Sequence, residues 1–104
     1  MSSIKIRIKR VESTCLVRIL ISHPMENGRR QNIESGEIIA AHFIKEVKIE
    51  HNGNLIARIQ LGMAVSRDPY LALRIREAKT GDSIRVSWSD NLGQSDSEET
   101  RVSF

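Results

Sequence analysis

The chain of 104 residues is short of cysteine, proline and aromatic side chains, and it has no long apolar run. One thiol, Cys15, excludes an intrachain disulfide and any metal site built from several cysteines. The four aromatics, Phe43, Tyr70, Trp88 and Phe104, are too few to interleave with basic residues as a stacking platform for nucleic acid. No stretch approaches the roughly 20 apolar residues of a membrane-spanning helix. The segment Met1–Arg10 alternates isoleucine with lysine and arginine, whereas an export leader is continuously apolar, so no leader is expected there. No phosphate loop is expected either, because Gly62, Gly81 and Gly93 stand singly at turns.

What is present is charge and period-two patterning. Sixteen basic and 13 acidic residues leave a net charge of only +3. The distribution is uneven: Lys5, Arg7, Lys9 and Arg10 precede any acid, and Asp96, Glu98 and Glu99 cluster near the other end. Because those first cations alternate with Ile4, Ile6 and Ile8, they read as the solvated face of a strand whose other face is buried. In Thr14–Ser22, Cys15, Val17, Ile19 and Ile21 form one apolar face. Leu16 and Leu20 flank Arg18 on the other, which is too apolar for ordinary surface and is a candidate contact face. His42–His51 places Phe43, Val47 and Ile49 on one side and Ile44 on the other. Ile56 opposes its own strand's main face in the same way.

Asn52-Gly53 signals a hairpin. A two-residue turn would pair Val47 with Arg58, so a three-residue loop over Asn52–Asn54 is expected, with a left-handed residue at Gly53 or Asn54. That loop pairs Ile49 with Ala57 and Val47 with Ile59. Leu71, Leu73 and Ile75 define a further strand. Ile84, Val86 and Trp88 follow, and Thr100, Val102 and Phe104 give the last inner face. Ser22–Ala41 is a long turn-rich connection, and Ser89–Glu99 is polar throughout, with its tip near Asn91-Leu92-Gly93. About seven strands with almost no helical period specify one all-β domain over residues 1–104. The expected architecture is an immunoglobulin-like antiparallel β-sandwich, with a small barrel as the competing form.

No catalytic set emerges. His23, His42 and His51 are far apart in sequence and lack metal-ligand spacing, so neither a metal nor another cofactor is expected. Cys15, in phase with Val17 and Ile19, reads as a packed and inert thiol. Arg29 and Arg30 read as a solvated loop pair, and Trp88 reads as core.

Four segments, in order, resemble the SoxZ family, the small subunit of the SoxYZ carrier complex of bacterial sulfur oxidation. They are Leu20-Ile21-Ser22-His23-Pro24-Met25-Glu26-Asn27-Gly28-Arg29, Ala41-His42-Phe43-Ile44-Lys45-Glu46-Val47, the run from Gly62 to Leu71, and Gly81-Asp82-Ser83-Ile84-Arg85-Val86-Ser87-Trp88. The family often has proline where this chain has Ala40. The resemblance implies a non-enzymatic subunit of a heterodimer with a SoxY-like chain, whose arm cysteine carries the sulfur intermediates. It also implies transient contact with other sulfur-oxidation enzymes and a periplasmic location reached by export with the partner. Neither nucleic acid nor membrane is implied as a partner. Leu16, Leu20, His42, Phe43, Ile44 and Ile56 are the candidate interface residues. The alternative reading is a generic β-sandwich interaction module outside sulfur chemistry.

Overall fold

The computed structural model describes residues 2–62 and 64–103. Seven strands form: β1 (Ile4–Val11), β2 (Thr14–Ile21), β3 (Ile44–His51), β4 (Asn54–Gln60), β5 (Tyr70–Ile75), β6 (Ser83–Asp90) and β7 (Ser95–Arg101). They make two antiparallel sheets, one ordered β1-β2-β5 and the other β4-β3-β6-β7. This is the sandwich that the alternation specified. Val17, Ile19 and Ile21 of the first sheet and Val47, Ile49, Ile84 and Val86 of the second are fully buried in one core. Each such side chain contributes roughly 1.5–3 kcal/mol by leaving water.

Two irregularities in β3 adjust its faces. Between Ile44 and Glu46 the pairing with β6 slips by one residue, so that Ile44 lies opposite Asp90 and Glu46 opposite Ser89. A bulge of this kind inverts the alternation beyond it. Ile44, expected on the outer face, is therefore fully buried beside Val47.

The second irregularity falls between Ile49 and Glu50, against β4. Val47 pairs with Ile59 and Ile49 with Ala57, as the faces require. The hairpin nevertheless closes through a two-residue turn, with Asn52 (φ 51°) and Gly53 (φ 82°) both left-handed and His51 paired with Asn54. A bulge absorbs the extra residue, so the favoured Asn-Gly turn and the correct facing coexist, and no three-residue loop is needed.

The polar segment Ser89–Glu99 is a strand hairpin almost to its tip. β7 pairs with β6 from Ser83–Arg101 through to Ser89–Ser95. Val102 is buried just beyond the strand and donates to the Asp82 carbonyl at 2.8 Å. Phe104, expected on the same face, lies outside the described residues.

The long connection between β2 and β3 carries the chain from one sheet to the other. Its base is closed by two backbone hydrogen bonds between Glu26 and His42, at 2.7 and 2.9 Å. Its middle folds back on itself, with Ile39 donating to the Arg30 carbonyl and Asn32 to that of Glu37. Arg30 is no free cation: it grips Glu26 at 2.6 Å. The whole molecule is elongated, 52 × 24 × 23 Å.

Candidate functional site: a buried His–Asp–His centre and the outer faces

Residues separated widely in sequence meet where β2 ends, β3 begins and β6 ends. His23 follows β2 and is locked by the strand pairing around it. Its N–H donates to Asp68 Oδ1 at 3.0 Å, and its carbonyl accepts from the Asp68 N–H at the same distance. His42 precedes β3 and is fixed by its backbone bonds to Glu26. Asp90 is the last residue of β6 and is 2% exposed.

Asp90 Oδ2 lies 3.1 Å from His23 Nε2 and 2.8 Å from His42 Nε2. Its Oδ1 accepts the backbone N–H groups of Leu92 and Gln94, at 3.0 and 2.8 Å, in the turn into β7. Burial alone pushes a carboxyl pKa up. Here the hydrogen bonds from His23, the Gln94 N–H, His42 and the Leu92 N–H outweigh it and hold Asp90 below the ordinary aspartate range. The His23 ring meets His42 edge-on at 4.6 Å and Trp88 edge-on at 5.2 Å.

The proton positions follow from the network. The Met25 N–H donates to His23 Nδ1 at 3.1 Å, so that nitrogen presents its lone pair and the ring proton sits on Nε2, aimed at Asp90. His42 donates from Nε2 to the same oxygen. Its ring is half-buried.

The same geometry weighs against a metal. The three donor atoms lie within 4.8 Å of one another, a spacing a small cation can span. A cation on His23 Nε2 would require the ring proton on Nδ1, where it would face the Met25 N–H. Oδ2 of Asp90 is likewise already taken by two N–H groups. The centre is complete as a hydrogen-bonded junction that joins the two sheets and the long connection.

The third histidine is elsewhere. His51 pairs with Asp82 at 2.8 Å. The Lys79 N–H is the main cause holding Asp82 down at about 2, with His51 next. Cys15 is 1% exposed, and burial raises its pKa, so the thiolate nucleophile is suppressed.

The six interface candidates are dispersed. Leu16 (half-buried) and Leu20 (40% exposed) lie on the outer face of β2. Phe43 packs against the core, and its N–H is held by Asn91 Oδ1 at 2.8 Å. His42 belongs to the buried centre, and Ile44 is core. Ile56 is 43% exposed on the edge strand β4, next to Leu55 at 49%. Sequence reasoning missed Asp90 as the hub, because it stands 67 and 48 positions from its two histidines and no local motif marks it.

A family model described as "Sulphur oxidation protein SoxZ" matches residues 4–101, from the first residue of β1 to the last of β7. The chain belongs to the SoxZ family. SoxZ membership thus covers all seven strands and every member of the His–Asp–His centre, and it assigns the chain to sulfur oxidation. No curated protein matches the chain. Among solved structures, a superoxide reductase from Nanoarchaeum equitans is similar, with a TM-score of 0.67 and 17% identity over 97% of this chain and 92% of that one. At that identity the likeness is one of fold. The SoxZ match is what carries function.

Proposed function

We propose that this SoxZ-family chain is a non-catalytic subunit that pairs with a SoxY-like carrier subunit, on whose arm cysteine the sulfur intermediates of thiosulfate or sulfur oxidation are carried. The observation that carries this reading is the family match over the whole sandwich. The chemistry of the chain agrees with it. Its thiol is buried among apolar groups, and a carrier needs one that several enzymes can reach in turn. Its histidines are committed to carboxylates within the fold. The same reading places the protein in the periplasm, exported with its partner.

The surface best suited to pairing is the β4 edge. An edge strand presents unpaired backbone groups, and here it adds two adjacent exposed aliphatic side chains, Leu55 and Ile56. Co-expression with the SoxY-like subunit tests this. The two chains should co-purify as a heterodimer, and L55E/I56E should abolish co-purification while its circular dichroism stays that of a β-sandwich. A folded variant that still co-purifies with unchanged affinity would remove the β4 edge from the interface. Failure of the unmodified pair to associate would remove the pairing itself.

A further inference from the structure

The outer face of the β1-β2-β5 sheet is a grid set by its register. Its three rows are Lys5–Leu20–Tyr70, Arg7–Arg18–Ala72 and Lys9–Leu16–Arg74. Lys5, Arg7, Lys9, Arg18 and Arg74 are all exposed, and the grid holds no carboxylate. None of these five cations makes an ion pair or side-chain hydrogen bond with the described residues. Arg7 and Arg18 are direct cross-strand partners, an arrangement that opposes folding because like charges face each other across the ladder.

The other sheet is arranged in the opposite way. There Glu50 faces Arg85, which in turn faces Glu99, and Glu46 lies 3.5 Å from Lys48 and 3.6 Å from Arg58. One outer face is internally neutralised, and the other leaves its positive charge unspent.

We propose that the β1-β2-β5 face is a docking surface for the acidic surface of a second protein, distinct from the subunit that pairs at β4. Carboxylates of the partner would supply the counter-charges that the sheet lacks. Leu16 and Leu20 flank Arg18 along the middle strand and Ala72 lies beside it on β5, so the contact has an aliphatic component around its central cation. Tyr70, 59% exposed at one corner, is the one aromatic on the face, so there is no row of rings on which bases could stack. Three strands about 4.8 Å apart and six residues of about 3.3 Å give a backbone area of only a few hundred Å². That is below the area of a stable interface and suits a transient, electrostatically steered encounter.

The test uses the full-length protein and a fluorescein-labelled poly-L-glutamate followed by anisotropy. Binding is expected at low ionic strength and should weaken about tenfold on raising salt to physiological levels and beyond. R7E/R18E should lower the affinity by at least about tenfold, and R7Q/R18Q by less, since neutralising two cations leaves three in place. K48E/R58E makes the same change in net charge on the other sheet and should leave affinity within about twofold. Co-purification of R7E/R18E with the SoxY-like subunit should be unchanged. The proposal is overturned if polyglutamate does not bind, or if the two charge reversals weaken it equally. It also fails if duplex DNA or phosphatidylserine vesicles bind more tightly through Arg7 and Arg18. Loss of the heterodimer in R7E/R18E would show that the face serves the stable partner instead.

Discussion

The indole nitrogen of Trp88 donates to the hydroxyl of Ser3 at 2.9 Å, and that hydroxyl in turn donates to Asp96 Oδ2 at 2.7 Å. The Ser3 N–H reaches the same carboxylate oxygen at 2.8 Å. One small side chain thereby satisfies a buried tryptophan and fastens the start of β1 to β7.

Ser3→Ala should cost about 1–3 kcal/mol, because the indole N–H and the carboxylate lose their shared partner in a partly buried place. Urea unfolding followed by fluorescence reads it directly, since Trp88 is the sole tryptophan. Ser3→Thr keeps the hydroxyl and should restore most of the loss. An Ala variant as stable as the unmodified protein would show that water replaces Ser3 at no cost.

Asp90→Asn should be the most damaging of the isosteric changes, at about 2–4 kcal/mol. Either the amide points N–H groups at two ring donors, or it abandons the two backbone donors of the β6–β7 turn. His42→Gln should cost less, because His42 is half-buried. If the junction is complete without a cation, zinc should not raise the melting temperature and a chelator should not lower it. Stabilisation by zinc that vanishes in the Asp90 variant would refute the proton assignment at His23.

Acid should unfold the protein through its aspartates. Asp82, Asp90 and Asp96 all have folded-state pKa values below the ordinary 3.8, with Asp82 down at about 2. A depressed carboxyl contributes stability that is fully present above its unfolded pKa and is lost as pH falls through the folded one. The stabilisation these groups supply should be constant from neutral pH to about 5 and then fall between about 4 and 2. Urea midpoints measured across that range check it, and Asp82→Asn should flatten part of the fall. A midpoint that does not change down to pH 2 would contradict it.

Most of the fold was legible because burial follows alternation. Val17, Ile19 and Ile21, and Ile84, Val86 and Trp88, could be assigned to an inner face from spacing alone, and their burial agrees. Misreading arose where one residue breaks the period. Ile44 looked outward because nothing in Phe43-Ile44-Lys45-Glu46 announces a bulge, and the hairpin at Asn52 looked one residue too long for the same reason. β7 gave no apolar signal, because its pairing with β6 and the Ser3–Asp96 bonds hold it in place of a hydrophobic face. The candidate site was less legible still. Each histidine was visible, but the carboxylate that unites two of them is placed by the meeting of three strand ends, and only tertiary structure reveals it.

The fastening of Ser3 to Asp96 spans 93 positions. During synthesis the β1–β2 hairpin can form early, because its partners are adjacent. The residue that leads into β1 stays unfastened to β7 until that strand has been made, although the Ser3 hydroxyl that Trp88 needs is present from the start. Contacts of such separation are slow to close and come late. Ribosome-bound chains lacking β7 should therefore stay open to proteases and chaperones, and the sandwich should lock in one step as its final strand arrives.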